Sequence, residues 1–450
     1  MENPTKMNNS TTATPPFGGW GGSSFGGWGG FQPADRLNTV KEYWFSTKLK
    51  EIAELKSQGK NIVELGVGGP DMPPSDETIR TLCEEAQKPN VHGYQSYVGI
   101  PELRCAFAGW YKRWFDVELN PNTEVQPLIG SKEGIMHISM AFLNAGDGVL
   151  VPNPGYPTYL SVSKLLQTNV IHYELDENNG WYPDFDALEK LDLSNVKLMW
   201  VNYPNMPTGA PATRELFEKL VAFGKKHHIV IVNDNPYSFI LPTPPSPSPP
   251  SPPKGGDLLT PFSKISTVID QPATPPFGGR GGSLLSIEGA KDVCIELNSM
   301  SKSHNMAGWR MGVMACNAQF MKWILQVKTN MDSGIFRPLQ VAAVAALNNP
   351  DEWHREMNID LYAKRRAVAE RIMTALGCRF DPAQVGLFLW GRIPENYASS
   401  GELADKLLYE ANVFVTPGFI FGSKGEKYIR ISLCATEEKL EEALKRIENL

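Results

Sequence analysis

The middle of the chain alternates between short apolar runs and amphipathic stretches. Residues 230–232, Val-Ile-Val, form a β-branched run of the kind found in parallel strands buried on both faces. Residues 148–151 and 196–202 read as further strands, and residues 131–143, 159–166 and 213–226 as helices. This order persists from Asn61 to about Arg337 and predicts an α/β fold with a mostly parallel sheet. Residues 37–58 form a charged amphipathic helical region. Past Arg337 the pattern changes. Helices around 351–376, 402–412 and 437–447 flank strands at 387–391 and 427–433, and the second strand alternates as if half-buried. Together with the N-terminal helix, that part predicts a smaller α+β domain.

Two stretches carry no such pattern. Residues 1–31 are polar and then Gly-rich, with Phe-Gly-Gly-Trp-Gly-Gly at Phe17 and again at Phe25. Residues 242–283 open on a Pro/Ser tract and include a near copy of residues 14–22 at Thr274 to Gly282. Neither could build a core, and the shared text points to insertions of one origin. The expected organisation is a low-complexity leader over 1–31 and an N-terminal helix over 32–60 that joins the small domain. A large domain over 61–337 follows, interrupted by the inserted loop at 242–283, and then a small C-terminal domain over 338–450.

Composition narrows the chemistry. The 43 basic and 49 acidic residues are interspersed and leave a net charge of −6; with no basic block, a nucleic-acid partner is not expected. Six cysteines are scattered without a Cys-x-x-Cys pair, so no metal site is expected and a reduced, cytoplasmic setting fits. No apolar run reaches the length of a membrane span, so no membrane partner is expected. No charged segment leads into an apolar core, as a secretory signal would.

The densest chemistry lies at residues 299–312, where Lys302 sits among Ser299, Ser301 and Ser303 and Arg310 follows on a Gly-Trp-Arg turn. A lysine beside cationic groups or in a dry pocket can lose its proton and attack a carbonyl, and an arginine forks onto phosphate. Asp234 ends the apolar strand, at the strand end where α/β sheets place their sites, with Tyr237 three residues on. Gly130, Ser131 and Lys132 open a helix whose exposed N–H groups suit an anion. Tyr156 stands in the Pro-fixed loop Asn153-Pro154-Gly155-Tyr156-Pro157, and Arg430 on the strand at 427–433. Gly68 lies in the turn Leu65-Gly66-Val67-Gly68-Gly69, and Tyr94 begins the segment Tyr94-Gln95-Ser96-Tyr97. Each part taken alone also has a plain structural reading, as a turn residue, a helix cap, a packed ring or an edge arginine.

In this order the parts resemble the class I/II aminotransferases, the fold-type I enzymes that use pyridoxal 5′-phosphate. The resemblance covers residues 33–242 and 284–450. It implies a transferase-like large domain on a mostly parallel sheet of the seven-stranded type. Lys302 would hold the cofactor as a Schiff base, and Asp234 would face its ring nitrogen. Tyr237 would bond the phenolic oxygen, and Tyr156 would stack on the ring. The phosphate would fall to Gly130, Ser131, the Lys132 amide, Ser299, Ser301 and Arg310, with Tyr94 reaching across a homodimer. Gly68 and Arg430 would meet the substrate, the arginine on its α-carboxylate. The pattern breaks at residues 203–209, Tyr-Pro-Asn-Met-Pro-Thr-Gly. The family's phenolic-oxygen asparagine is here Met206, a weak acceptor, which leaves the contact to Asn205 or to Tyr237 alone.

The implied activity moves an amino group from an L-amino acid to a 2-oxo acid through pyridoxamine phosphate. A fold-type I lyase acting at a β-position, or a pseudoenzyme impaired by the insertion, would share every part. A ligand-sensing regulator would need a fused DNA-binding domain, and residues 1–31 hold no helix-turn-helix pattern. Arg337 is either a partner for a second substrate carboxylate or structural. Closure entropy rises by only ~0.6 kcal/mol per doubling of loop length, so the insertion is expected to be passive. Deleting about Pro244 to Gly282 should preserve cofactor absorbance and transamination. Unfolding or loss of dimerisation on deletion would show that the segment is structural.

Overall fold

The computed structural model describes residues 32–241 and 282–450; the leader and nearly all of the insertion lie outside the described residues. Twelve strands occur among these residues. They are β1 (Val63–Glu64), β2 (Val125–Leu128), β3 (Gly148–Asn153), β4 (Asn169–Glu174), β5 (Val196–Val201), β6 (Val230–Asp234), β7 (Cys294–Ser299), β8 (Gly312–Ala315), β9 (Phe388–Arg392), β10 (Val413–Phe414), β11 (Thr416–Pro417) and β12 (Tyr428–Ser432). Seven of them form one sheet in the order β2-β8-β7-β6-β5-β3-β4. Only β8 runs against its neighbours; the β7-β6-β5-β3-β4 block is parallel.

This sheet is apolar on both faces because helices cover both. Along β5, Met199 and Val201 enter one core and Leu198 and Trp200 the other; along β6, Ile231 and Val232 divide in the same way. The result is a continuous apolar run rather than an alternating one. Helix Arg214–His227 begins at Thr213, whose hydroxyl accepts from the Leu216 N–H, and packs its apolar stripe on the first face.

The chain leaves the large body at Leu241, whose N–H donates to the Asn358 carbonyl, and it is held again at Gly282, whose carbonyl accepts from Asn235 and Ser238. Just beyond, buried Glu296 on β7 receives the returning strand. It accepts from Ser283 Oγ at 2.9 Å, the Leu284 N–H at 2.8 Å and Asn233 Nδ2 at 3.4 Å. Burial pushes its carboxyl up to about 7, with the Leu284 N–H and the Ser283 hydroxyl opposing. A buried acceptor with several donors joins the two ends of the interrupted chain to one strand.

The second body is built on the antiparallel sheet β11-β12-β9 and the parallel pair β1-β10. Helices Leu361–Ala375 and Glu437–Glu448 pack on it. Helix Trp44–Ser57 closes it from the N-terminal side, with Ile52 meeting Ile62, Leu408 and Phe414. Two expected boundaries shift. Val63 and Leu65 belong to this second core, because β1 pairs with β10. Helix Arg337–Leu347 instead packs with helices Asp76–Ala86 and Pro101–Phe115, so Ala343, Ala346 and Leu347 join the first core. Strand β12 also differs from the half-buried expectation, since all five of its residues are buried. Its apolar residues, Ile429 and Ile431, face the small core, and its other face carries Arg430 toward a cavity. No described helix is long and apolar enough to cross a membrane.

Glu296→Ala should lower stability by about 3 kcal/mol, because several donors lose their buried acceptor. Glu296→Gln keeps one acceptor and should cost less. Urea unfolding reads both; equal, near-zero losses would show that the carboxylate anchors nothing.

Candidate active site

A cavity of about 400 Å³ opens at the carboxyl ends of the parallel strands, against the second body. Asp234 ends β6, the central strand of the sheet, and points its carboxylate into this space. Only 4% of the residue is exposed. Oδ2 accepts from Tyr159 Oη at 3.0 Å, and Oδ1 has no partner. Burial raises its carboxyl to about 6, with the Tyr159 and Ser131 hydroxyls pulling the other way.

Lys302 stands in the one-turn helix Met300–Ser303 that follows β7. Ser299 caps the turn by accepting from the Ser301 N–H at 3.1 Å. The Lys302 ammonium donates to the Gly68 carbonyl. Burial lowers its pKa first, and the nearby Arg430 and Arg310 lower it further. An amine held in this way is readied to lose its proton.

Gly130 precedes helix Ser131–Phe142 with φ +79°, and a Cβ there would collide with the Arg310 guanidinium. Glycine therefore lets the arginine lie against the helix N-terminus, where N–H groups and the dipole already favour an anion. Arg310 is left-handed, with φ 53°, and its Nη1 donates to the Ala307 carbonyl at 2.9 Å. Ser131, Lys132, Ser299, Ser301 and Arg310 all line the cavity, and Tyr156 and Tyr237 form further parts of its wall.

Arg430 closes the other side. Its guanidinium carbon lies 3.9 Å from the Phe388 ring centre, 4.7 Å from Phe421 and 5.8 Å from Phe45. Nη2 donates to the Gly66 carbonyl at 3.0 Å and Nη1 to the Met206 thioether at 3.3 Å, while Nε has no partner. Among the described residues no carboxylate pairs with it. Burial lowers its pKa to about 10, so it remains cationic at neutral pH. Such a guanidinium is open to a carboxylate brought from outside. Gly68 lies beneath, where a Cβ would strike Phe388. The turn is tied down by Asp71, which takes a forked pair from Arg365 at 2.7 and 2.9 Å.

Four sequence-derived candidates lie off the cavity wall. Gly130 acts only through the space it leaves for Arg310. Asn205 is spent on its own turn: Oδ1 accepts from the Thr208 N–H and hydroxyl, and Nδ2 donates to the Asn202 carbonyl. It therefore does not reach in to replace the missing asparagine, and Met206 lines the cavity instead. Tyr94 is 97% exposed. Arg337 pairs with Glu85 at 3.1 Å, which makes it structural. Other wall residues carried no sequence signal of their own. Asn202 donates to the Asp234 carbonyl and accepts from the Met206 N–H. Tyr43, Phe45 and Leu49 of the N-terminal segment roof the cavity, with Lys132 Nζ 4.9 Å from the Tyr43 ring centre. Tyr159 could have been found from its spacing, since it follows Tyr156 by three residues at a helix start and so shares its face. Away from the cavity, Glu133, His137 and Asp332 are close enough to share an ion, but the buried Lys328 ammonium already bonds both carboxylates.

Known proteins share this arrangement of fold and sequence. Residues 60–447 match the family model described as Aminotransferase class I and II. An LL-diaminopimelate aminotransferase of Nitratidesulfovibrio vulgaris is 39% identical over 420 residues, covering 93% of this chain and 99% of that one. One of Aquifex aeolicus is 38% identical over the same shares. Among solved structures, substrate-bound BacF from Bacillus subtilis superposes with a TM-score of 0.80 at 34% identity, covering 93% of this chain and 97% of that one. An aspartate aminotransferase double mutant of Thermus thermophilus has the same fold, with a TM-score of 0.79 at 24% identity over 93% and 99%. The chain belongs to the class I and II aminotransferases and is a pyridoxal-phosphate-dependent transaminase.

Proposed function

We propose that this transaminase takes its amino group from LL-diaminopimelate or a close relative, an amino acid whose side chain ends in a second charged group, and passes it to a 2-oxo acid. The observation that carries the reading is Arg430, a buried guanidinium facing the cavity without a carboxylate partner among the described residues. An α-carboxylate would complete it. The outer wall supports a distal charge, because Lys132 lines the cavity beside Tyr43 and no described carboxylate pairs with it. The names of the relatives point to the same donor.

The donor set fits the cofactor. Asp234 Oδ1 is a buried acceptor without a donor, suited to a protonated ring nitrogen. The Gly130 gap, the Ser131 helix start, Ser299, Ser301 and Arg310 suit the phosphate, and Tyr156 suits the ring face. Tyr237 is the remaining hydroxyl for the phenolic oxygen, with Met206 in place of the asparagine. When bound, pyridoxal phosphate supplies an electron sink for the substrate α-carbon. Lys302 would hold it covalently, and its amine, once freed, would serve as the base for the proton on that carbon. Arg430 and Gly68 fix the carboxylate end so that the carbon faces the Lys302 amine.

Two further readings accompany this one. Tyr94, almost wholly exposed, is suited to complete the phosphate site of a second copy, so the working unit is a homodimer. All six cysteines are unpaired, which supports a reducing, cytoplasmic setting.

A panel of amino donors tests the substrate: LL-diaminopimelate should exceed alanine, aspartate and aromatic donors in kcat/KM, and the reverse order would overturn the assignment. Lys302→Ala should bind the cofactor without a covalent link and lose transfer by several powers of ten. Borohydride reduction and peptide mapping of the parent should label Lys302, and a label on another lysine would sink the role. Light scattering of the loaded enzyme should report a dimer; a fully active monomer would contradict the place given to Tyr94.

A further inference from the structure

One of the two Asp234 oxygens is already engaged by a residue outside the roles above. Tyr159 donates its hydroxyl to Oδ2 at 3.0 Å, and both groups are buried. The phenol cannot easily turn away. Its ring lies on Trp200 at 4.9 Å between centroids and 3° from parallel, and Trp200 stands on β5, the strand beside β6. Tyr156 meets the same ring edge-on at 5.4 Å. Asn202 bonds the backbone carbonyl of Asp234, so it fixes the strand end but not the carboxylate. The Ser131 hydroxyl also favours the charged carboxylate, but the stacked ring of Tyr159 fixes its 3.0 Å bond, so Tyr159 is the side chain that sets the carboxylate's orientation.

We propose that Tyr159 is a positioning residue for amino transfer: its phenol keeps the Asp234 carboxylate ionised and turned so that Oδ1 faces the cofactor's ring nitrogen. The proposal rests on the role given to Asp234 above. Its physical basis is that a buried carboxylate tends to take up a proton, and a donated hydroxyl favours the charged form. A donor to a charged acceptor is also stronger than one to a neutral group. A neutral Asp234 would no longer offer the charge that holds a proton on the ring nitrogen. The alternative is an ordinary core tyrosine that has merely found a partner for its hydroxyl. The two differ in what the cofactor experiences.

Tyr159→Phe removes one oxygen and leaves the ring on Trp200. In the cofactor-loaded enzyme it should lower kcat about tenfold or more. Cofactor occupancy should be kept, and KM for the amino donor should stay within about twofold. With cofactor labelled by nitrogen-15 in the ring, the NMR signal should move from the pyridinium position toward the unprotonated one. Asp234→Ala should move it further in the same direction. A variant that matches the parent in both kcat and ring-nitrogen signal overturns the proposal. So does one that loses thermal stability while the signal stays in place, which would mark a purely structural tyrosine. A parent enzyme that shows no amino transfer would instead overturn the functional reading, and the two failures are thus distinguishable.

Discussion

A guanidinium taken out of water with no carboxylate among the described residues to meet it is the constraint around which this site is arranged. Arg430 gives up solvation for two acceptors, one of them a thioether, and for the faces of Phe388, Phe421 and Phe45. Ring faces attract a desolvated cation, but they replace only part of its lost hydration. The remaining deficit is what an incoming carboxylate removes. Asp234 presents the opposite case across the same cavity: a buried anion with one oxygen satisfied and one bare. A ligand with a cationic ring nitrogen at one end and a carboxylate at the other answers both at once. Binding such a ligand stabilises the folded chain as well as occupying the site.

These opposite charges come from different bodies, so the site exists only while the bodies are held together. Asp234 and the Lys302 turn stand on the large sheet, and Arg430 stands on β12 of the small one. The Gly66–Asp71 turn joins them. Its carbonyls accept from Arg430 and from Lys302, and its Asp71 is forked by Arg365. The turn passes against Phe414 and Phe388 so closely that a Cβ at Gly66 or Gly68 would collide with those rings. Two glycines there are a packing requirement and also expose the carbonyls that the two cations use.

What could be read from the sequence follows the backbone. Lys302, Asp234 and Ser131 sit where a strand ends and a turn begins, and strand ends are visible as breaks in apolar runs. Their positions in the fold follow from the parallel order of the sheet. Side-chain partnerships carry no such mark. Nothing in the text tells that Asn205 bonds Thr208 and Met206 faces Arg430, because the direction of each side chain is set by the turn geometry. The burial of β12 was hidden for a related reason. Tyr428, Arg430 and Ser432 read as a polar face, and only the aromatic cage supplied by other segments covers it. The division at residue 337 fails because an alanine-rich amphipathic helix shows the same pattern whichever body it packs against. Two-residue strands such as β1 and β10 lie below any periodic signal.

The departure at position 206 is best understood through Arg430. The neighbouring asparagine cannot compensate, because its amide is committed to the turn that keeps Thr208 and Gly209 in place. The loop therefore retains its shape without a polar side chain facing the cavity. In that place Met206 gives the guanidinium a weak acceptor at 3.3 Å. A carbonyl or carboxylate at the same point would hold Nη1 firmly and contest it with the substrate. A thioether does not, since its hydrogen bonds are weak and its chain is flexible. Nη1 thus has a weak partner that would yield easily to a carboxylate. The residue at 206 acts on Arg430, while Tyr237 remains the hydroxyl on this wall of the cavity that would suit the cofactor's phenolic oxygen.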